Sequence, residues 1–344
     1  MVATHDDSEE GNIGIVAARI RQIWPERQIV LLTGKDGIHR PFSFFFGKAY
    51  HMATAGTIFL DNEFMPMAYT PVSPKAKVVQ LWHGTGTIKK FGQDSDTGEV
   101  ARLAHRANKR LTHLIVNSEM TKRQYASAFN QPIDHVHILG LPRTDLILDE
   151  IRMQLMRREF YEQYPQLEDK RCILYAPTFR DDEKQNPRIA LDVESFVRGM
   201  DENEVLLLRL HPHVAENVSS DLWGRCADRV YDLSRHEGVT TLLAIADCLI
   251  TDYSSIIFEY CLLNKKMIFY AYDLQRFGES GRGFYEDYES FVPGPVVHTQ
   301  SELERTCRDK EVDQTVLKRF REKNFAYIDG NATNRLLELI FNDN

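Results

Sequence analysis

Short apolar runs that alternate with helical patterns constrain this chain more than any other feature. In the first half the strand-like runs are Ile29–Thr33, Thr57–Leu60, Lys77–Trp82, His113–Asn117 and Val136–Leu139. In the second half they are Cys172–Ala176, Val205–Leu210, Arg229–Leu233, Cys248–Thr251 and Met267–Tyr270. Each is four to six residues long, rich in β-branched or aromatic side chains, and bounded by polar residues, Gly or Pro. Such runs read as strands buried on both faces of a parallel sheet. Between them, Val100–Leu111, Ser118–Phe129, Asp145–Tyr164, Val193–Met200 and Ile256–Leu263 carry helical periodicity. Gln300–Cys307, Gln314–Phe325 and Ala332–Phe341 close the chain in the same way. Alternating β and α over 344 residues predicts an α/β fold of two doubly wound, Rossmann-like domains. The expected domains are 1–163 and 164–344, with the last helix able to pack back on the first. No strand is visible before the helical stretch Ile15–Trp24, so the first sheet is expected to be one strand short.

The net charge of −8 argues against a general nucleic-acid binder. Residues 75–123 depart from that average, with ten Lys/Arg against four Asp/Glu, a local +6. Within it lie Lys89 and Lys90, and Arg102, Arg106, Lys109 and Arg110 share a helix face at i, i+4 and i+7/8 spacing. Such a face is commonly just solvated; it also suits an anionic lipid surface or a lipid diphosphate. Pro41–Phe46, with four phenylalanines, reads as the start of a core helix running to Met52 and alternatively as a membrane-dipping cluster. No run approaches the ~18–20 apolar residues of a spanning helix. The opening MVATHDDSEEGN is acidic and polar, unlike a secretory leader, and the five cysteines are odd in number with no CxxC pair. A reduced cytosolic chain without disulfides or a cysteine zinc site is expected.

Ligands of doubly wound sheets sit outside the carboxyl ends of the strands. The residues there are unusually polar: His83-Gly84-Thr85, Arg143 in GLPR, Pro177-Thr178-Phe179-Arg180, His211-Pro-His213, and Asp252-Tyr-Ser254-Ser255. Ser254 or Ser255 can cap the helix that follows, and the helix start can bind phosphate oxygens. Glu259, four residues on, can accept from ribose hydroxyls or lie solvated on its helix. Arg209 and His211 share one face if the strand continues, which suits a diphosphate. HxH also invites a metal, but no third ligand has suitable spacing. His83 lies beside Gly84 and Gly86, which permit close approach to the backbone; its imidazole can take a proton from a hydroxyl near neutral pH. His135 and His137 read as structural.

Taken in order, WHGT, GLPR, APTFRD, LRLHPH, ITDYSSIIFEY and RGFYEDYE resemble the CDP-glycerol glycerophosphotransferase family of teichoic acid synthesis, from about Lys75 to Glu289. The resemblance implies a GT-B fold, two Rossmann-like domains whose parallel sheets face across a cleft, the C-terminal one holding CDP-glycerol. It implies that His83 is the base and His211 a second essential histidine on the diphosphate. Trp82, Gly84, Thr85, Gly86, Arg143, Pro177, Thr178, Arg209, Ser254, Ser255 and Glu259 match substrate-contacting positions, and Asp252 one that orients phosphate or glycerol. Gly86-Thr87 replaces the usual Pro-Leu of polymerases, and the Gly-Thr-Ile-Lys-Lys-Phe-Gly run and the chain length look more like the primase branch. Position 259 is Glu where many members have Asp. The implied reaction moves glycerol phosphate from CDP-glycerol to an N-acetylmannosaminyl-N-acetylglucosaminyl-undecaprenyl diphosphate and releases CMP, with no cofactor and no obligatory metal. It places the chain peripherally on the cytoplasmic face of the cell membrane. The alternatives are a polyglycerol- or ribitol-phosphate polymerase of the same family, a sugar-transferring GT-B glycosyltransferase, and a non-catalytic nucleotide-binding protein.

Overall fold

Parallel pairing of short buried strands builds two six-stranded sheets in the computed structural model, which describes residues 2–4, 8–32, 49–180, 183–217, 226, 228–280 and 282–342. The first sheet holds β1 (Val2–Thr4), β2 (Val30–Leu32), β3 (Thr57–Leu60), β4 (Lys77–Gln80), β5 (His113–Val116) and β6 (Val136–Ile138) in the order β2-β1-β3-β4-β5-β6. The second holds β7 (Arg171–Tyr175), β8 (Glu204–Leu208), β9 (Val230–Asp232), β10 (Cys248–Thr251), β11 (Lys266–Tyr270) and β12 (Val296–Val297) in the order β12-β11-β10-β7-β8-β9. β3, β8, β10 and β11 are buried at every residue, as strands covered on both faces must be.

Contacts divide the chain into one unit of Met1–Asp149 with Glu322–Asn344 and another of Glu150–Arg321. The helix Glu150–Gln163, which the sequence reading put in the first domain, therefore groups with the second. The single helical pattern expected over Asp145–Tyr164 is two helices, Pro142–Leu148 and Glu150–Gln163. Asp149 between them has extended backbone (φ −81°, ψ 93°), which ends the first.

In the first unit, Ile13, Val16 and Ile20 of the helix Asn12–Ile23 pack with Phe59, Val79, Leu81, Ile115 and Leu141. Leu336, Leu337 and Ile340 of the helix Ala332–Phe341 complete this core. Each fully buried aliphatic side chain contributes about 1.5–3 kcal/mol, so the returning helix is integral to the unit. Its start lacks a side-chain cap of its own. Asp145 takes that role from 187 residues away: its carboxylate accepts from the N–H of Ala332 (2.9 Å), and from the N–H (2.8 Å) and hydroxyl (2.7 Å) of Thr333. Gly140 is required nearby: its φ is +82°, and a Cβ there would lie 2.9 Å from Ala332 Cβ.

The expected missing strand is present. β1 lies inside the first sheet, with Val2–Thr4 paired to Val30–Leu32 on one side and Ile58–Leu60 on the other. Val2-Ala3-Thr4 runs straight into the polar His5-Asp6-Asp7, so no bounded apolar run marks it. The Pro41–Phe46 cluster lies outside the described residues; the helix beyond it is Ala49–Thr54. Among the described residues no helix is long and apolar enough to cross a membrane, and all five cysteines are buried free thiols. His137 stacks on His113 at 5.1 Å, and burial lowers its pKa.

Candidate functional site

In the second unit β7 and β10 pair directly although they are far apart in sequence, so the chain reverses its winding direction between them. Ligands of such sheets bind outside the strand ends at this point. Here the turns after the two strands are tied together. Asp252 Oδ1 accepts from the N–H of Thr178 (2.8 Å) and of Tyr253 (2.6 Å), and Oδ2 pairs with Arg180 Nη2 at 2.9 Å. Asp252 is 2% exposed. Its carboxylate thus holds protein backbone and does not face a phosphate or glycerol, which corrects the role expected for it.

Arg180, one of the polar strand-end residues of APTFRD, is given no substrate-contacting role by the resemblance. It is 4% exposed and central to this turn. It donates to Asp273 through Nε (2.8 Å) and Nη2 (2.9 Å), and through Nη1 to the carbonyl of Thr178 (2.6 Å). Tyr253, Tyr272 and Phe277 surround the guanidinium with centroids 4.8–5.3 Å away. Burial works against its charge, but Asp273 and Asp252 outweigh it and hold the pKa above the ordinary arginine value. Burial and the nearby carboxylates likewise raise Tyr253, whose hydroxyl donates to Asp273 Oδ1 at 3.0 Å. Tyr288 of the RGFYEDYE segment donates to the carbonyl of Asp252 at 3.0 Å.

His211 is exposed and stacks on Phe179 with centroids 4.4 Å apart and planes 18° from parallel. Its Nδ1 accepts from the N–H of His213 at 3.2 Å, so the neutral ring carries its proton on Nε2. His213 points its Nε2 at the carbonyl of Lys184, 2.7 Å away, so HxH does not form one ligand pair. Among the described residues no group of three or more His, Cys, Asp or Glu is placed to hold a metal. Arg209 Nη1 donates to the carbonyls of Leu233 (3.0 Å), Ser234 (2.8 Å) and His236 (2.7 Å) and so anchors the loop after β9. That nitrogen is turned to backbone, not aimed beside His211. Thr178, Phe179, Arg180 and His211 line a small pocket of about 20 Å³ that opens to solvent; Pro177, Glu183 and Arg188 also border it. The hydroxyl of Thr178 is buried with no hydrogen-bond partner among the described residues.

The serine pair lies half-buried after β10. Ser254 Oγ accepts from the N–H of Ile256 at 3.3 Å, whereas Ser255 makes no side-chain cap. Ser254 is therefore the capping serine. Glu259, 6% exposed, is buried rather than solvated on the short helix Ile256–Tyr260.

In the first unit the loop after β4 carries His83, exposed, beside half-buried Trp82 and buried Gly84, Thr85 and Gly86. The Trp82 and His83 rings are 4.1 Å apart, and Trp82 stacks on Phe91 at 5.0 Å. Trp82 has φ +58°, a left-handed conformation that costs a bulky residue on the order of 1–2 kcal/mol. Gln80 accepts from its N–H at 2.9 Å. Arg143 donates from Nη1 to the carbonyl of His83 at 2.6 Å, so it supports the loop directly. The basic face is on the helix Gly98–Asn108 and the turn after it. Arg102, Arg106, Lys109 and Arg110 are exposed, whereas Lys89 and Lys90 are half-buried. Arg102 pairs with Glu99 at 3.6 Å, and Arg106 lies over the exposed ring of Tyr69 at 5.1 Å.

The family described as CDP-glycerol:poly(glycerophosphate) glycerophosphotransferase matches residues 29–342. The chain is 36% identical over 297 residues to the teichoic acid poly(ribitol-phosphate) polymerase of Bacillus spizizenii, covering 85% of this chain and 47% of that protein. It is 29% identical over 332 residues to the teichoic acid glycerol-phosphate primase of Bacillus subtilis, covering 95% and 82%. The chain spans about half the length of the ribitol-phosphate polymerases it matches. The wall teichoic acid polymerase TagF has a similar structure, with a TM-score of 0.83, 22% identity, and coverage of 100% of this chain and 88% of that one. That likeness shows the fold, two Rossmann-like units of the GT-B class. With the match running almost the whole length of the chain, it belongs to the CDP-glycerol:poly(glycerophosphate) glycerophosphotransferase family.

Proposed function

We propose that the chain moves glycerol phosphate from CDP-glycerol to a hydroxyl of a lipid-diphosphate-linked disaccharide, N-acetylmannosaminyl-N-acetylglucosaminyl-undecaprenyl diphosphate, and releases CMP. The acceptor oxygen bonds to the glycerol-bearing β-phosphorus, and the bond from that phosphorus to the bridging oxygen breaks. CMP leaves with the bridging oxygen. His83 takes the hydroxyl proton, and His211 donates from Nε2 to the diphosphate. Such transfer depends mainly on positioning and on charge stabilisation. The observation that carries the reading is the placement of the two histidines. Each is exposed just beyond a buried strand of a family member, and each ring leans on a neighbouring aromatic ring.

A second reading, transfer of ribitol phosphate from CDP-ribitol, is favoured by the 36% identity to a ribitol-phosphate polymerase. Single addition makes the chain a primase and repeated addition a polymerase. The basic face of Arg102, Arg106, Lys109 and Arg110 would hold the chain peripherally to the cytoplasmic face of the membrane carrying the acceptor. The test is incubation with CDP-glycerol or CDP-ribitol and a lipid-disaccharide analogue, scoring CMP release and units added. His83→Ala and His211→Ala should each lose on the order of 10²–10³ in rate with unchanged circular dichroism. More than about a tenth of parental turnover in either would refute that residue's role.

A further inference from the structure

The loop that carries His83 is held by side-chain donors on four consecutive carbonyls. Asn12 Nδ2 donates to Trp82 O at 2.8 Å, Arg143 Nη1 to His83 O at 2.6 Å, Tyr125 Oη to Gly84 O at 2.9 Å, and Asn117 Nδ2 to Thr85 O. The donors come from four places in the first unit: the helix Asn12–Ile23, the helix Pro142–Leu148, the helix Glu119–Ala128 and the end of β5. Asn12, Asn117 and Tyr125 are 2%, 1% and 0% exposed. Asn12 also accepts from the N–H of Arg143 at 2.9 Å, which links two of the donors.

We propose that Asn12, Asn117 and Tyr125 are positioning residues that clamp the Trp82–Thr85 backbone and thereby fix where His83 presents its imidazole. The inference rests on the reading of His83 as the base. A trans peptide points its N–H opposite its carbonyl, so fixing four carbonyls also fixes the N–H directions of residues 83–86. The left-handed Trp82 shows that the clamp overrides local preference. A strained conformation persists only where its surroundings over-determine it, and such places cluster at functional sites. The Trp82 ring, packed on Phe91 and edge-on to Phe129 at 5.2 Å, closes one side of the imidazole. A general base must be held within a fraction of an ångström, and a misplacement of about 1 Å costs on the order of 10²-fold in rate.

Tyr125→Phe removes one donor and keeps the ring against Phe91 and Phe129; Asn12→Ser withdraws another. The full chain, both variants and His83→Ala are assayed for CMP release with the CDP-polyol and the lipid-disaccharide analogue, and melting temperatures are recorded. The clamp predicts that Tyr125→Phe and Asn12→Ser each lose roughly 10- to 100-fold in kcat, keep the donor KM within about twofold and melt within a few degrees of the parent. A purely structural role would lower the melting temperature and leave kcat per folded molecule unchanged. That result, a change confined to KM, or parental kcat in both variants beside an inactive His83→Ala, overturns the clamp alone. A parent that releases no CMP, or a His83→Ala variant as fast as the parent, overturns the reading of His83 and the clamp with it.

Discussion

Replacing Arg180 with leucine leaves two buried carboxylates without their main cation. Arg180, Asp252 and Asp273 have side chains only 4%, 2% and 6% exposed, so water compensates little. Breaking a buried pair by removing one partner costs about 3–5 kcal/mol. In a unit of roughly 170 residues each kcal/mol moves the melting temperature by about 2–4 °C, so the expected drop is about 6–20 °C. Burial alone would raise the pKa of Asp273; hydrogen bonds and charge from Arg180 outweigh it and hold that carboxyl below its ordinary value. In the parent, the stability this contributes is therefore complete above the unfolded pKa of about 3.9 and is lost as pH falls through the folded value. In Arg180→Leu the main lowering influence is gone and burial is opposed only by Arg276 and Tyr253, so Asp273 rises relative to the parent. Its protonation then relieves the variant at mildly acidic pH, before the parent begins to lose stability. Melting of both proteins followed by circular dichroism at pH 7 and about pH 4.5 should show the gap narrowing on acidification. A drop below about 3 °C at pH 7, or a gap that widens towards acid, would refute the account of the network.

Asp145→Ala should cost about 1–3 kcal/mol, read as a lower urea midpoint, because it uncaps the helix Ala332–Phe341; an unchanged midpoint would show that the cap is dispensable. Lys265, pushed down to about 8 mainly by burial, titrates near 10.4 when unfolded. Between those values the unfolded chain binds more protons, so stability gains with rising pH, by about 3 kcal/mol at most; Lys265→Met should remove that gain, and a matching pH profile in the two proteins would contradict it. Arg102→Glu with Arg106→Glu should weaken sedimentation with anionic liposomes several-fold, most strongly at low salt. Equal binding by parent and double variant would remove the proposed membrane role of this face.

Ten of the twelve strands among the described residues are legible because a strand buried on both faces must be written as an apolar run. Thr57–Leu60 and Cys248–Thr251 fall where the runs stood. β1, Val-Ala-Thr running into the polar His5-Asp6-Asp7, and β12, only two residues long, are held by pairing with neighbours and make no bounded apolar run. Periodicity also ran through the break at Asp149, since a single non-helical residue hardly disturbs the spacing of apolar positions over twenty residues. In the candidate site, the strand-end rule located the turns that carry His83, Thr178, His211 and Asp252. It did not find Asn12 or Tyr125, which lie on helices with nothing in their flanks to distinguish them from ordinary helix positions.

Polar residues at a strand end are of two kinds, and residue type alone does not separate them. A chain leaving a buried strand in an irregular turn exposes several peptide groups to the interior at once, and each needs a partner. Arg209 on three carbonyls, and Asp252 on two amides and a guanidinium, answer that need. His83 and His211 stand in the same motifs but are exposed. On the proposed function, the first kind stiffens the turn and the second uses the stiffness. A loop that must aim an imidazole cannot relax around a ligand. The buried donors behind it are therefore as much part of the turn as the ring in front, and the structure tells them apart by where each hydrogen bond ends.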